Sequence, residues 1–173
     1  MPGWPDWNAI HPFVVHFPIA LLLVAPVLAL VGVAANQRAF LFSALLLMSF
    51  GTAAAWLAVA TGEAASEVAK AFPHAEAVLD RHQDLAETAC TLATVVTLVY
   101  AALLFAPVAL KRPLRRAASL AAHVGFLAVY AVAAVYFVQT AHQGGVLVHQ
   151  LGVHAGGAAP LPAAESAARP DDD

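Results

Sequence analysis

Four long apolar segments dominate the pattern of hydrophobic and polar positions along the chain. No Asp, Glu, Lys or Arg interrupts residues 7–37, 39–62, 88–110 or 117–164. A membrane-spanning helix needs about 20 mostly apolar residues, so each segment is long enough for one span. The pattern predicts an all-α integral membrane protein, an antiparallel four-helix transmembrane bundle. Its spans are expected at about residues 12–35, 39–61, 85–106 and 117–140.

The segments between and after the spans give the rest of the predicted organisation. Residues 63–87 are charged and Ala-rich, which predicts a short interfacial helix between spans two and three, broken near Pro73. One membrane domain is expected over residues 1–157. Residues 158–173, mostly Ala, Pro and Asp, are expected to form a disordered tail.

Two features are expected to shape the outer end of the bundle. Pro12 is predicted to lie in the first turn of the first helix, where a missing amide hydrogen costs nothing, and Pro18 to kink that helix. After span four, Gly144 and Gly145 are expected to let the chain turn and fold back over the outer mouth of the bundle, carrying His142 with it.

Composition excludes several classes of function. Apolar residues make up 61% and charged residues 11% of the chain, against roughly 45–50% and about 25% in soluble domains. No basic tract is present, so nucleic acid is excluded as a partner. Cys90 is the single cysteine, which rules out an internal disulfide, a Cys-rich metal site and covalent c-type haem.

The positive charges predict the orientation in the membrane, because short cytoplasmic loops carry an excess of Lys and Arg. Two loops on one side hold Arg38, Lys111, Arg112, Arg115 and Arg116 and no acidic residue. The other side carries all 11 acidic residues. Both termini are therefore expected on the outer side, and lipid surrounds the spans.

Histidines are the candidate functional residues, and all but one of the 8 fall on the predicted outer side: His11, His16, His74, His82, His142, His149 and His154. Ligation is one interpretation, because imidazole is the commonest metal ligand and histidine pairs from different helices hold b-type haem. The other is a polar cap of hydrogen-bonded histidines with no cofactor. The residues themselves leave both open.

Spacing narrows the candidate ligands. His16 lies about 7.5 Å inside the first helix, counted from His11 at about 1.5 Å per residue, where an imidazole needs a partner. His11 and His16 are about 140° apart around a helix, so one helical face cannot present both to one ion. His82 and His142 would have to come from other helices. His123, deep in span four, is predicted to bond a neighbouring Ser or Thr, with Met48 as a packing residue.

Two motifs stand at the two ends of the predicted bundle: HPFVVHFPIAL at residues 11–21 and AHQGGVLV at residues 141–148. They resemble the first and last motifs of a bacterial family of four-span membrane proteins, domain of unknown function 2231. Thr61-Gly62, Arg81-His82 and Gly152-Val153 are similar to further family elements, so the resemblance covers about residues 9–155. The histidines at 149 and 154 depart from the family pattern.

This resemblance implies a redox-associated module of the bacterial inner membrane, similar in layout to small cytochromes b. Haem b is expected near the outer, periplasmic face, with His16 and His82 as iron ligands and with His11 and His142 as further candidates. The protein would then be an electron-transfer subunit rather than a stand-alone enzyme, passing electrons between a membrane donor, such as a quinol, and an exported cytochrome or Rieske protein. The alternatives are a cofactor-free structural or assembly subunit of a membrane complex, and a histidine site for Cu or Zn.

Overall fold

The computed structural model of the chain describes residues 7–112 and 114–153, apart from the side chains of residues 7–9, 68 and 73. Its helices are α1 (Trp7–Val14), α2 (His16–Ala34), α3 (Arg38–Ala69), α4 (Glu76–Ala109) and α5 (Arg116–His149). A short 3₁₀ turn, Pro73–Ala75, precedes α4. The predicted disordered tail lies outside the described residues.

Four segments are long and apolar enough to cross a membrane: Ile10–Ala34, Arg38–Glu67, Glu76–Ala109 and Arg116–His149. Many of the large apolar side chains on the outside of the bundle, such as Phe50, Leu98 and Val129, are exposed. Such an apolar surface suits contact with lipid. The helices also satisfy their backbone hydrogen bonds internally, which the bilayer core requires of any segment that spans it. The predicted all-helical, four-span membrane fold is confirmed.

Proline shapes the first span. Pro12 was expected in the first turn of the helix, and this prediction is wrong. α1 begins at Trp7, so Pro12 lies inside the helix. The helix is interrupted at Val15, three residues before Pro18. Pro18 has no amide hydrogen to offer the carbonyl of Val14, four residues earlier, and its ring crowds that carbonyl. The predicted kink is therefore a break between two helices.

A second proline is compensated by a tyrosine from another helix. Pro26 lies inside α2, so it cannot donate the helical hydrogen bond that the carbonyl of Leu22 would otherwise accept. The hydroxyl of Tyr130, on α5, donates to that oxygen at 2.6 Å, and both residues are buried. Membrane helices tolerate proline where a neighbouring helix satisfies the freed backbone group in this way.

Small residues let the helices approach each other closely. Leu22 of α2 packs directly over Gly51 of α3, and Leu41 of α3 over Gly32 of α2, with no space for a side chain at either glycine. Small residues at such contacts let membrane helices pack with their backbones close together. Between α3 and α4, Thr52 and Thr97 share a hydrogen bond of 2.9 Å.

The predicted interfacial helix between spans two and three is wrong. α3 continues without interruption to Ala69, and α4 begins at Glu76, directly after the 3₁₀ turn. The Ala-rich sequence around residues 63–69 favours helix. Phe72, the residue before Pro73, has a non-helical backbone (φ −113°, ψ 89°), as a following proline favours, so α3 does not run on into α4. The two spans are thus joined by a tight hairpin of long helices.

The predicted lid over the bundle mouth is also corrected. α5 runs through Gly144 and Gly145 to His149, and the chain turns only at Gly152, which has a positive φ of 67°. Leu147 and Val153 then join Phe72 and three other apolar residues in a small buried cluster: Ala69, Ala75 and Leu79. This cluster, and not a folded-back loop, fastens the end of α5 to the α3–α4 hairpin.

Candidate functional site

Two histidines are held in a defined orientation at one end of the bundle. We call this the histidine end: it comprises α1, the C-terminal parts of α3 and α5, and the first turns of α4. The opposite, basic end carries the exposed residues Arg38, Lys111, Arg112, Arg115 and Arg116.

His11, on α1, is bound to a threonine of α3. Its Nδ1 lies 3.1 Å from Oγ1 of Thr61, which is completely buried. The Thr61 hydroxyl donates its one hydrogen to the backbone of its own helix, at Leu57 or Ala58, each 3.1 Å away. Its oxygen therefore accepts from Nδ1–H of His11. This fixes the proton on Nδ1 and leaves Nε2 of His11 with its lone pair.

His82, on α4, is bound to α5 in an equivalent way. Its Nδ1 donates to the carbonyl oxygen of Thr140 at 3.0 Å. A carbonyl can only accept, so the hydrogen must be on Nδ1, and Nε2 of His82 is again the unprotonated nitrogen. The Thr140 hydroxyl is occupied with the Tyr136 carbonyl at 2.8 Å.

Each of these imidazoles lies against a glycine of a neighbouring helix. A Cβ atom built on Gly62 would come within 3.1 Å of Cε1 of His11, and one built on Gly144 within 3.2 Å of Cε1 of His82. Most real Cβ contacts are longer, so a larger residue at either position would have to displace the ring. The two glycines give each ring its place.

The two sites lie at the same end of the bundle. His11 is on α1 beside Gly62 of α3, and His82 is on α4 beside Gly144 of α5. Both side chains are partly buried rather than exposed. The histidine end therefore contains two imidazoles, each fixed through Nδ1 and each with a bare Nε2.

The other histidines predicted as ligands are not part of this pair. His16, the sharpest candidate in the sequence, is exposed at the start of α2, and His142 is exposed on α5. Val15, between α1 and α2, keeps helical backbone angles (φ −61°, ψ −24°), so His11 and His16 still lie about 140° apart around the helix. The structure thus fixes the orientation of His11 and His82, and leaves His16 and His142 exposed.

The remaining outer histidines are also peripheral. His74 and His149 are exposed, and Nε2 of His74 lies 3.5 Å from the carbonyl of Leu151, at the limit of a hydrogen bond. His154 lies outside the described residues. Within residues 7–112 and 114–153, no three His, Cys, Asp or Glu side chains converge as a metal site would require.

The charge around the histidine end is acidic. The α3–α4 hairpin carries exposed acidic side chains: Glu63, Glu67, Glu76, Asp80, Asp84 and Glu87. Lys70 pairs with Glu67 at 2.6 Å, an exposed contact that adds little stability.

Sequence reasoning missed the two threonines and the glycine contacts. Thr61-Gly62 was singled out only as a similarity to the family, and Thr140 carried no signal. Both threonines act on a histidine of another helix, and nothing in the sequence gives that pairing.

Residues 8–157 match the sequence family described as "Predicted membrane protein (DUF2231)". The chain belongs to the DUF2231 family. The match includes both tethered histidines, both threonines and both glycines of the site, and it ends where the predicted tail begins. The family description agrees with the four membrane helices of this DUF2231 chain. No curated protein and no solved structure matches it.

Proposed function

We propose that this DUF2231 protein is a b-type cytochrome-like subunit that binds haem b through Nε2 of His11 and Nε2 of His82. The observation that supports this proposal is that both imidazole rings are oriented in the same way. Each ring makes a hydrogen bond at Nδ1 and has an unprotonated Nε2. Histidines that bind metals almost always donate their other ring N–H to a backbone carbonyl, a carboxylate or water in this way.

The number of ligands favours haem over a free metal ion. A structural zinc site needs four ligands and a catalytic one three protein ligands, and no third His, Cys, Asp or Glu joins the pair within the described ranges. Haem iron needs only one or two protein ligands, because the porphyrin supplies the others. A Cu or Zn site is therefore the weaker candidate.

Haem would supply one-electron chemistry, and the residues of this chain would place it. His11 and His82 would hold it from two different helices, α1 and α4. Thr61 and the Thr140 carbonyl would fix the ring orientations and increase the basicity of the ligands. Gly62, with its counterpart Gly144, would keep the space that the rings need.

The proposed route of electrons runs between a membrane donor and an exported redox protein, such as a cytochrome or Rieske protein. We place the DUF2231 chain in the bacterial inner membrane with the histidine end and both termini on the periplasmic side. The cations of the basic end support this orientation, because positively charged short loops stay in the cytoplasm. The acidic hairpin then faces the exported partner.

A cofactor-free structural subunit is the second candidate, and one observation favours it. The His11–Thr61 bond joins α1 to α3, and the His82–Thr140 bond joins α4 to α5. Hydrogen bonds of this kind stabilise membrane helix pairs on their own, by about 0.6 kcal/mol on average. In this case the two histidines would act only as links between helices.

Absorption spectra of histidine variants separate the candidates. The protein is produced with haem available, purified and reduced with dithionite, and its b-type spectrum is compared with those of His11→Ala, His82→Ala, His16→Ala and His142→Ala. We expect either His11→Ala or His82→Ala to abolish the low-spin spectrum. His16→Ala and His142→Ala, the exposed matched controls, should leave it unchanged.

The opposite results are equally clear. If the spectrum disappears in His16→Ala and persists in His11→Ala, the assignment of the ligands is wrong. If no variant has a chromophore to lose, while His11→Ala and His82→Ala lower stability, the structural candidate replaces the haem proposal.

A further inference from the structure

Two buried polar side chains pack against each other inside the bundle, away from the histidine end. The side chain of His123, on α5, is 3% exposed, and that of Tyr100, on α4, is completely buried. Nε2 of His123 and the hydroxyl of Tyr100 are both buried and have no hydrogen-bond partner within residues 7–112 and 114–153. The two rings meet edge to face, with their centroids 6.0 Å apart.

The hydrogen bonding of His123 defines what each orphan atom needs. Nδ1 of His123 donates to the carbonyl oxygen of Ser119 at 2.8 Å, so Nε2 is an acceptor that lacks a donor. The Tyr100 hydroxyl can both donate and accept. The pair therefore fits a neutral group that offers an O–H to Nε2 of His123 and an oxygen to the hydroxyl of Tyr100.

Buried polar atoms are nearly always satisfied, and an exception in a native protein calls for an explanation. Within a membrane span the penalty is greater, because no bulk water is available and ionisable residues there mark functional sites. Tyr130, about two turns further along α5, shows the contrast, because its buried hydroxyl donates to the carbonyl of Leu22.

A groove on the lipid-facing side of α4 and α5 lies one layer of side chains away from this pair. Gly125 forms part of it, with no atom of the described residues within 4 Å of the position that a Cβ would take. Its walls are otherwise apolar, including the exposed residues Val99 and Val129. Phe126 lines the groove and also packs against Tyr100, with ring centroids 4.8 Å apart. Phe126 therefore separates the groove from the orphan atoms, since neither Tyr100 nor His123 lines it.

We propose that Phe126 turns aside and that Tyr100 and His123 then bind the head group of a membrane-soluble hydroquinone, which enters from lipid through the groove at Gly125. One hydroxyl of the hydroquinone donates to Nε2 of His123, and an oxygen accepts from the Tyr100 hydroxyl. The apolar groove takes the ring substituents and the start of the tail. This site extends the proposed function by placing the membrane donor, while binding itself requires no haem.

The chemistry distinguishes a hydroquinone from its oxidised form. A quinone has only carbonyl acceptors, so it can accept from Tyr100 but offers nothing to Nε2 of His123. A hydroquinone satisfies both atoms. We therefore expect the reduced form to bind more tightly than the oxidised form, and His123 to account for the difference.

Anaerobic calorimetry tests the proposal on the full chain in lipid nanodiscs, with empty nanodiscs as the reference for partitioning. The probe is decylubiquinol, and its dimethyl ether, which keeps the ring and tail but has no O–H, is the matched ligand. We expect saturable binding of one decylubiquinol per chain, and binding of the ether weaker by about tenfold, the equivalent of about 1.4 kcal/mol. Tyr100→Phe should weaken decylubiquinol binding by a similar factor.

Two further variants test the groove. Gly125→Leu should abolish binding by filling the groove, while Ala128→Leu, at an exposed position of the same helix, should have no effect. Equal binding of decylubiquinol and its ether, or unchanged binding in Tyr100→Phe and Gly125→Leu, would overturn the proposal. A third result would also overturn the proposal: decylubiquinol only partitions into the lipid, and Tyr100→Phe is less stable than the native protein without any quinol. In that case a bound water, and not a hydroquinone, is the partner of the two orphan atoms. Because no step depends on haem, these outcomes are independent of the spectra that test His11 and His82.

Discussion

Tyr130→Phe removes a single hydroxyl from the core of the bundle, and its effect tests how the chain tolerates a proline in its first span. In the native protein this hydroxyl donates to the carbonyl of Leu22 at 2.6 Å. Pro26 lacks the amide that would otherwise serve that carbonyl. In Tyr130→Phe, the Leu22 oxygen would be buried with neither partner.

The expected cost follows from the burial of both groups. Leaving a buried polar group without a partner costs about 1–3 kcal/mol of stability. A hydrogen bond between membrane helices contributes up to about 1.7 kcal/mol to stability. Leu22 and Tyr130 are each 1% exposed, so water does not replace the lost donor. We therefore expect a loss of about 1–2 kcal/mol in the free energy of unfolding.

Reversible unfolding in mixed detergent micelles, followed by circular dichroism, measures this change. Tyr100→Phe is the matched control, because it removes a buried tyrosine hydroxyl that has no hydrogen-bond partner in the part of the chain that the structure describes. Without added quinol, that variant should be as stable as the native protein, or slightly more stable.

A second background, the variant Pro26→Ala, makes the test stricter. In Pro26→Ala the helical amide returns and can donate to the Leu22 carbonyl, so adding Tyr130→Phe should cost less there than in the native background. The reasoning is refuted if Tyr130→Phe has no effect, or if its cost is the same with and without Pro26.

Two further predictions concern the membrane topology and the histidine site. Reporter fusions at Gln37 and Arg112 should show a cytoplasmic location, because the cations cluster at that end; an exported signal at either position would reverse the orientation. Gly62→Val and Gly144→Val should each reduce haem content at normal membrane insertion, because the new side chain displaces the imidazole that lies about 3 Å from the built Cβ. Gly145→Val, where nothing lies within 4 Å, is the control. Equal haem content in all three variants would show that the contacts of Gly62 and Gly144 do not position the haem ligands.

The four spans could be predicted from the sequence because charge-free apolar segments are a direct requirement of lipid. The ends of the helices could not, since hydropathy marks where a helix leaves lipid and not where it stops. α3 continues to Ala69 because its charged, Ala-rich end is a good helix former. The small cluster around Phe72 and Leu79 then holds the hairpin together.

The histidine site was predictable in its location but not in its members. Topology alone places most histidines at one end of the bundle. Choosing His11 rather than His16 requires the position of α1 against Thr61 of α3, and the orientation of His82 requires the register between α4 and α5 at Thr140. Both depend on tertiary packing, which one sequence does not specify.

Haem titration of the purified protein tests the central proposal most directly. Haem is added stepwise to the haem-depleted protein in detergent, and the Soret band is followed together with that of a His11→Ala/His82→Ala double variant. We expect saturation at one haem per chain with a low-spin b-type spectrum, and no such spectrum from the double variant. Absence of saturable binding by the native protein, or the same spectrum from the double variant, would contradict it.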